Sequence, residues 1–226
     1  MQTAPDTTQN KLLISICGER TVLFLTIQSL FASEIITGLV LVVRPEDFEA
    51  ASQVLEAVEA TTKTAFETKI VEGGPSRQES VYAGLLAVPA ESEFVMIHDG
   101  ARPHCPPNLI RAVADEASRT GAAILGVPVR STLKRTSSTQ TVVKTVSRDN
   151  LWAAQTPQVF SLKLLLSAHE KAKSDGFTAT DDSELVERLG REVTIVEGSQ
   201  YNIKVTTPED VVLLRAVLQN TNVACN

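Results

Sequence analysis

The chain has three cysteines and three histidines in 226 residues, and neither set is spaced to hold a metal. Cys17, Cys105 and Cys225 are an odd count without ligand spacing, so they read as reduced thiols rather than a disulfide framework. His98, His104 and His169 are equally scattered, and each reads as non-catalytic. Positive charge is in deficit. Lys and Arg number 21 against 27 Asp and Glu, for a formal net charge of −6. No basic stripe exists to neutralise a nucleic-acid backbone, which excludes a general nucleic-acid coat but not a small anionic ligand. Long apolar runs are missing too, since polar residues interrupt every stretch well short of a membrane span. The opening from Met1 to Asn10 is polar and lacks the apolar core of a signal peptide, so a cytoplasmic location is expected. The absence of any Gly-x-Gly-x-x-Gly argues against a nicotinamide-dependent enzyme.

What is present is a soluble globular composition, 43% apolar and 21% charged, in a length that suits one domain over residues 1–226. Apolar spacing predicts a helix over Thr21–Ser33. Gly38-Leu39-Val40-Leu41-Val42-Val43 is a continuous apolar run of the kind buried on both faces of a parallel sheet. Helix Glu46–Thr62, strand Phe66–Glu72, helix Arg77–Val88, strand Phe94–His98, helix Asn108–Arg119 and strand Ala122–Val129 follow. This alternation predicts an α/β, doubly wound, mostly parallel sheet with helices on both faces. Residues 130–150 break the pattern. They are polar, rich in Ser and Thr, and read as a protruding β-arm or a surface loop. Helices over Ser161–Ser174 and Asp182–Leu189, a strand over Val193–Glu197 and a helix over Glu209–Leu218 complete the chain.

The most informative segment is Phe94-Val95-Met96-Ile97-His98-Asp99-Gly100-Ala101-Arg102-Pro103, an apolar strand that stops at a charged corner. Ligands of open α/β sheets bind beyond the carboxyl ends of the strands. Asp99 and Arg102 are therefore either a ligand corner or a salt bridge that shapes a turn. Gly73-Gly74, ahead of Arg77 and Ser80 at a helix start, either admit a ligand to backbone amides or form a plain strand-to-helix turn. Thr180-Asp181-Asp182 opens a helix, where capping competes with binding. Lys204 sits on the polar side of Asn202-Ile203-Lys204-Val205-Thr206, a ligand contact or an ordinary solvated face.

The strings Val71-Glu72-Gly73-Gly74…Arg77…Ser80-Val81, Ile97-His98-Asp99-Gly100-Ala101-Arg102-Pro103, Trp152…Thr156-Pro157-Gln158, Thr180-Asp181-Asp182 and Asn202-Ile203-Lys204-Val205-Thr206 stand in the order and spacing of one family. Over Lys11 to Leu218 the chain resembles the 2-C-methyl-D-erythritol 4-phosphate cytidylyltransferases of non-mevalonate isoprenoid biosynthesis. The resemblance implies a Rossmann-like nucleotidyltransferase fold and in-line attack of the methylerythritol phosphate on the α-phosphorus of CTP, with Mg²⁺ carried mainly on the CTP phosphates. It implies cytosine at Gly73, Gly74 and Ser80, ribose and metal near Asp99, and Ala101 and Arg102 shaping that corner. Arg148, Thr156, Thr180 and Lys204 would hold the acceptor. The 130–150 arm would cross to a second subunit of a homodimer, so Arg148 would serve the neighbour's site. Lys11, Arg148 and Lys204 are the expected catalytic residues, and no residue is expected to ligate a resident metal.

The chain also departs from that family. The family opens with an apolar strand and an Ala-, Gly- and Arg-rich loop that cradles the triphosphate, and this sequence carries neither. Lys11 is the candidate for the lysine that follows the loop, but Leu12 stands where glutamine is usual. Ser131 replaces a common aspartate. Either the given start lies downstream of the true one, which is the favoured reading, or the Thr-rich opening replaces the strand, or the fold is compromised. Losing a central strand exposes apolar faces and unpaired edges, so the chain as written is expected to bind CTP poorly and turn over slowly. The alternatives are a cytidylyltransferase for another polyol phosphate, such as ribitol 5-phosphate, or an impaired paralogue that binds nucleotide.

Overall fold

The computed structural model describes residues 10–62 and 66–220. After a 3₁₀ turn at Lys11–Leu13, a small hairpin of β1 (Ser15–Cys17) and β2 (Arg20–Thr21) leads into α1 (Val22–Phe31), capped by the Thr21 hydroxyl accepting from the Phe24 amide. Alternation then follows the hydrophobic pattern. The order is β3 (Gly38–Val43), α2 (Phe48–Glu59), β4 (Glu67–Glu72), α3 (Arg77–Ala87), β5 (Phe94–Ile97), α4 (Pro107–Thr120) and β6 (Ala122–Pro128). The polar excursion is an antiparallel hairpin of β7 (Leu133–Thr136) and β8 (Val142–Val146). Next come β9 (Trp152–Ser161), α5 (Leu162–Asp175), α6 (Asp182–Arg188), β10 (Thr194–Glu197) and α7 (Pro208–Asn220).

The expected α/β fold with a mostly parallel sheet is present, with two features the hydrophobic pattern did not announce, the β1–β2 hairpin and β9. β9 is a ten-residue strand, antiparallel to both β5 and β6. It carries Gln155, Thr156 and Gln158 as buried polar residues, which breaks the apolar run that would have identified it. Its Pro157 is tolerated because the register with β6 jumps there, from Ile124↔Gln158 to Leu125↔Gln155, leaving Thr156 and Pro157 in a bulge. The cysteine reading also needs correction. Cys17 is disulfide-bonded, whereas Cys105 is a free buried thiol that burial pushes up to about 12. Count and spacing say nothing about which thiols a fold brings together. Cys225 and the polar opening lie outside the described residues.

The helices form two layers. One holds α1, α2 and α7, whose Leu25, Ile27, Leu55, Val58 and Leu214 pack with Leu39, Leu41 and Ile70 of β3 and β4. The opposite layer holds α3, α5 and α6, where Leu85, Leu165, Leu185 and Val186 pack around Phe160, Ala122 and Ile124. Between the layers the sheet is in two pieces. β10, β6, β9 and β5 form one in that order, and β3 and β4 form the other as a parallel pair. A cavity of about 680 Å³ separates them, with β3 and β5 as walls, α1 residues Leu23 and Ile27 on one side and α3 residues Val81 and Leu85 on the other. Among the described residues, β3 and β5 each pair along one edge only.

Candidate active site

Arg77, at the start of α3 after β4, reaches the corner that follows β5. Asp99, two residues beyond β5, gathers three cations. Lys204 Nζ is 2.8 Å from its Oδ2, Arg102 Nε 3.5 Å from the same oxygen, and Arg77 Nε 3.7 Å from Oδ1. Burial pushes the Asp99 carboxyl up, but the hydrogen bond and charge of Lys204, with Arg77 and Arg102, hold it below the ordinary carboxylate range. Asp99 thus forms the turn-shaping ion pair with Arg102 and also lines the cavity.

The backbone around this carboxylate is braced. The Asp99 amide donates to Thr156 Oγ1 at 3.0 Å, and Thr156 Oγ1 lies 3.1 Å from His98 Nδ1. His98 Nε2 lies 3.1 Å from the Arg102 carbonyl, which can only accept, so that nitrogen carries the proton and Nδ1 accepts from the threonine hydroxyl. Desolvation lowers the His98 pKa to about 4 and keeps the ring neutral. Arg102 donates to the Asn202 carbonyl at 2.7 Å, and buried Asn202 donates to the Thr156 carbonyl at 2.8 Å. The Val205 amide closes the ring on the Ala101 carbonyl. His98, read from sequence as non-catalytic, is a post in this frame, and no spacing signal announced Asn202.

Gly73 and Gly74 are required by close approach. A Cβ on Gly73 would sit 2.9 Å from Ser80 Oγ, and one on Gly74 would sit 2.5 Å from Glu79 Cβ. The Ser80 hydroxyl donates to the Ser76 carbonyl at 2.8 Å, so in this state it serves α3 while lining the cavity. Ser76 caps α3 by accepting from the Glu79 amide. Arg77, the first residue of α3, reaches both Asp99 and the fully buried Asp182, whose Oδ2 is 2.8 Å from Arg77 Nη2. Burial works against the Arg77 charge, and Asp182, then Asp99, more than offset it. Asp182 also lies 3.3 Å from His169 Nε2. This Arg77–Asp182 link joins α3 to α6.

The remaining candidates are more dispersed. Asp181 caps α6 through the Glu184 amide, and the Thr180 amide and hydroxyl both donate to Glu184, so Thr180 is an exposed cap residue beside the Asp182 link. Lys11 is exposed in the first turn, while its neighbour Leu12 packs where a Gly100 side chain would point. Arg148 is exposed at the base of the arm, bonded to the Arg130 carbonyl, and is not part of the Asp99 cluster of its own chain. No cluster of three acidic, His or Cys side chains suited to a metal occurs among the described residues.

A model of the 2-C-methyl-D-erythritol 4-phosphate cytidylyltransferase family matches residues 4–220. The chain is 44% identical over 207 residues to the 2-C-methyl-D-erythritol 4-phosphate cytidylyltransferase of Desulforamulus reducens, covering 92% of this chain and 87% of that one. It is 43% identical to the enzyme of that name from Geobacillus thermodenitrificans, covering 92% and 89%. Among solved structures it is similar to the 4-diphosphocytidyl-2C-methyl-D-erythritol synthase of Anaerococcus prevotii. The TM-score is 0.82 at 33% identity, covering 92% of this chain and 93% of that one.

Proposed function

The chain belongs to the 2-C-methyl-D-erythritol 4-phosphate cytidylyltransferase family, and from that premise we propose how its residues divide the work. The enzyme is a nucleotidyltransferase that joins CTP to methylerythritol phosphate. A phosphate oxygen of the acceptor forms a bond to the α-phosphorus of CTP, the bond from that phosphorus to the bridging oxygen breaks, and pyrophosphate leaves with the electron pair. Such chemistry depends on positioning and charge neutralisation more than on covalent catalysis.

The observation that supports the assignment is Asp99 at the strand ends, with Lys204, Arg102 and Arg77 around it. In our reading Asp99 orients the ribose, and Lys204 and Arg102 face the phosphates. Gly73, Gly74 and Ser80 flank the base, and Thr156 fixes the Asp99 backbone. Lys11 would reach the phosphates from the turn whose Leu12 lies beside Gly100. A lone carboxylate suits Mg²⁺, which keeps several waters and binds mostly through substrate phosphates. Mg²⁺ would neutralise charge on the triphosphate, and Asp99 is the carboxylate that would hold it there.

The arm supports a dimer. Val142 and Val143 are 57% and 64% exposed on a hairpin that forms a two-stranded sheet of its own, and such a hairpin is marginal alone. Arg148 then serves the partner's acceptor site together with Thr180. Pyrophosphate release with CTP and methylerythritol phosphate tests the chemistry, and equal release with ribitol 5-phosphate would overturn the acceptor assignment. Mixing inactive Arg148→Ala chains with inactive Lys204→Met chains tests the crossing. Activity returns if Arg148 works across the interface, and stays absent if each chain uses its own.

A further inference from the structure

On the reading of Thr180 as an acceptor contact, we propose that Gln78 is a positioning residue for the acceptor. It acts by holding the backbone of the segment that carries Thr180. Residues 176–181 link α5 to α6 with neither helix nor strand. The backbone groups of such a link have no ladder to satisfy them, so its shape depends on what ties it down. Two of the ties come from one side chain. Gln78 Nε2 donates to the Phe177 carbonyl at 3.1 Å, and the Ala179 amide donates to Gln78 Oε1 at 2.9 Å. A carboxamide holds a donor and an acceptor side by side, so one residue meets a carbonyl and an amide two positions apart. The partners fix its orientation, since a carbonyl only accepts and a backbone amide only donates.

Gln78 is the second residue of α3, next to Arg77, and the two grip opposite ends of this segment. Arg77 Nη2 holds Asp182 at 2.8 Å, just past Thr180, while Gln78 holds Phe177 and Ala179 just before it. Arg77 also lies 3.7 Å from Asp99. The first turn of α3 therefore bears on both substrates, Arg77 at the nucleotide corner and Gln78 on the segment assigned to the acceptor. Thr180 bonds forward into α6, its amide and hydroxyl donating to Glu184 at 2.6 and 2.9 Å, so Gln78 fixes the chain that enters it. Phe177 keeps other anchors, its amide on the Ala172 carbonyl and the Arg188 guanidinium 4.2 Å over its ring. The slack from losing Gln78 thus falls at Ala179, beside Thr180.

The test is Gln78→Met in the full chain, which keeps side-chain length and helix propensity and removes both bonds. Exchange of the Ala179 amide is expected to quicken about tenfold, with the Phe177 amide unchanged as an internal control. In pyrophosphate release, the KM for methylerythritol phosphate should rise about fivefold while the KM for CTP stays within about twofold of wild type. A general loosening of α3 would raise both, because Arg77 is the neighbouring residue. Thr180→Ala should also raise the acceptor KM, and adding Gln78→Met should raise it no further, because the glutamine works through the threonine. Unchanged Ala179 exchange, equal rises for CTP and acceptor, or additive effects in the double variant would overturn the proposal. If Thr180→Ala raises the acceptor KM and Gln78→Met does not, the role of Gln78 alone is overturned. If Thr180→Ala leaves the acceptor KM unchanged, the reading of Thr180 fails and takes the role of Gln78 with it.

Discussion

β6 and β3 have similar sequences and opposite fates. Both are short apolar runs, and β3 is the more strongly apolar, yet six of the seven β6 residues are buried and no residue of β3 is. The difference lies in the neighbours. β6 is paired on both edges, to β10 and β9, and covered by helices on both faces. β3 has the same helical cover but, among the described residues, is paired only to β4. A strand's apolar content says how it should be buried, and its place in the ladder decides whether it is.

That contrast can be broken most directly by truncation. Leu125→Ala in β6 is expected to cost about 3–5 kcal/mol and Leu41→Ala in β3 less than about 2, read by urea unfolding. Equal costs would show that β3 is as well packed as β6. The next largest effect separates the polar corner from the scaffold. Lys204→Met should lower kcat/KM by about 10²–10³-fold while leaving the unfolding midpoint near wild type, because the lysine is partly exposed.

His98 sharpens the contrast on the β5 side. Its pKa is lowered to about 4 in the folded state from an unfolded value near 6.5, so the unfolded chain binds the extra proton first. The folded frame therefore loses stability as pH falls from about 6.5 to about 4, by at most about 3 kcal/mol, and His98→Asn should remove that slope from a stability–pH profile. An unchanged slope would mean that His98 titrates freely. The smallest effect is dynamic. Native-state exchange of Leu39 and Leu41, which bond to β4, should exceed that of Ile124 and Leu125 even without any ligand.

Much of the scaffold was legible because burial and periodicity coincide. Gly38–Val43 begins and ends where its apolar run does, and α3 starts at Arg77 after a serine cap. β9 was hidden because its middle is spent on the site. Gln155, Thr156 and Gln158 point inward to hold Asn202, Asp99 and Asp181, so polarity marks function there rather than exposure. Asp99 and Lys204 stood out one at a time, whereas the fold alone brings them to 2.8 Å from positions far apart in the chain. The Arg77–Asp182 link was illegible for the same reason: ion pairs between distant segments leave no local pattern.

The charges of the Asp99 corner have one more consequence. Arg77, Arg102 and Lys204 are matched by Asp99 and Asp182, leaving a surplus of one positive charge among five ionised groups. An empty crevice built this way carries its own counter-ions and has little field left over to draw a nucleotide from a distance. On the proposed function, nucleotide entry is an ion exchange in which Lys204 trades a carboxylate for a phosphate. What a substrate gains at this corner is the difference between two partners, not the worth of one.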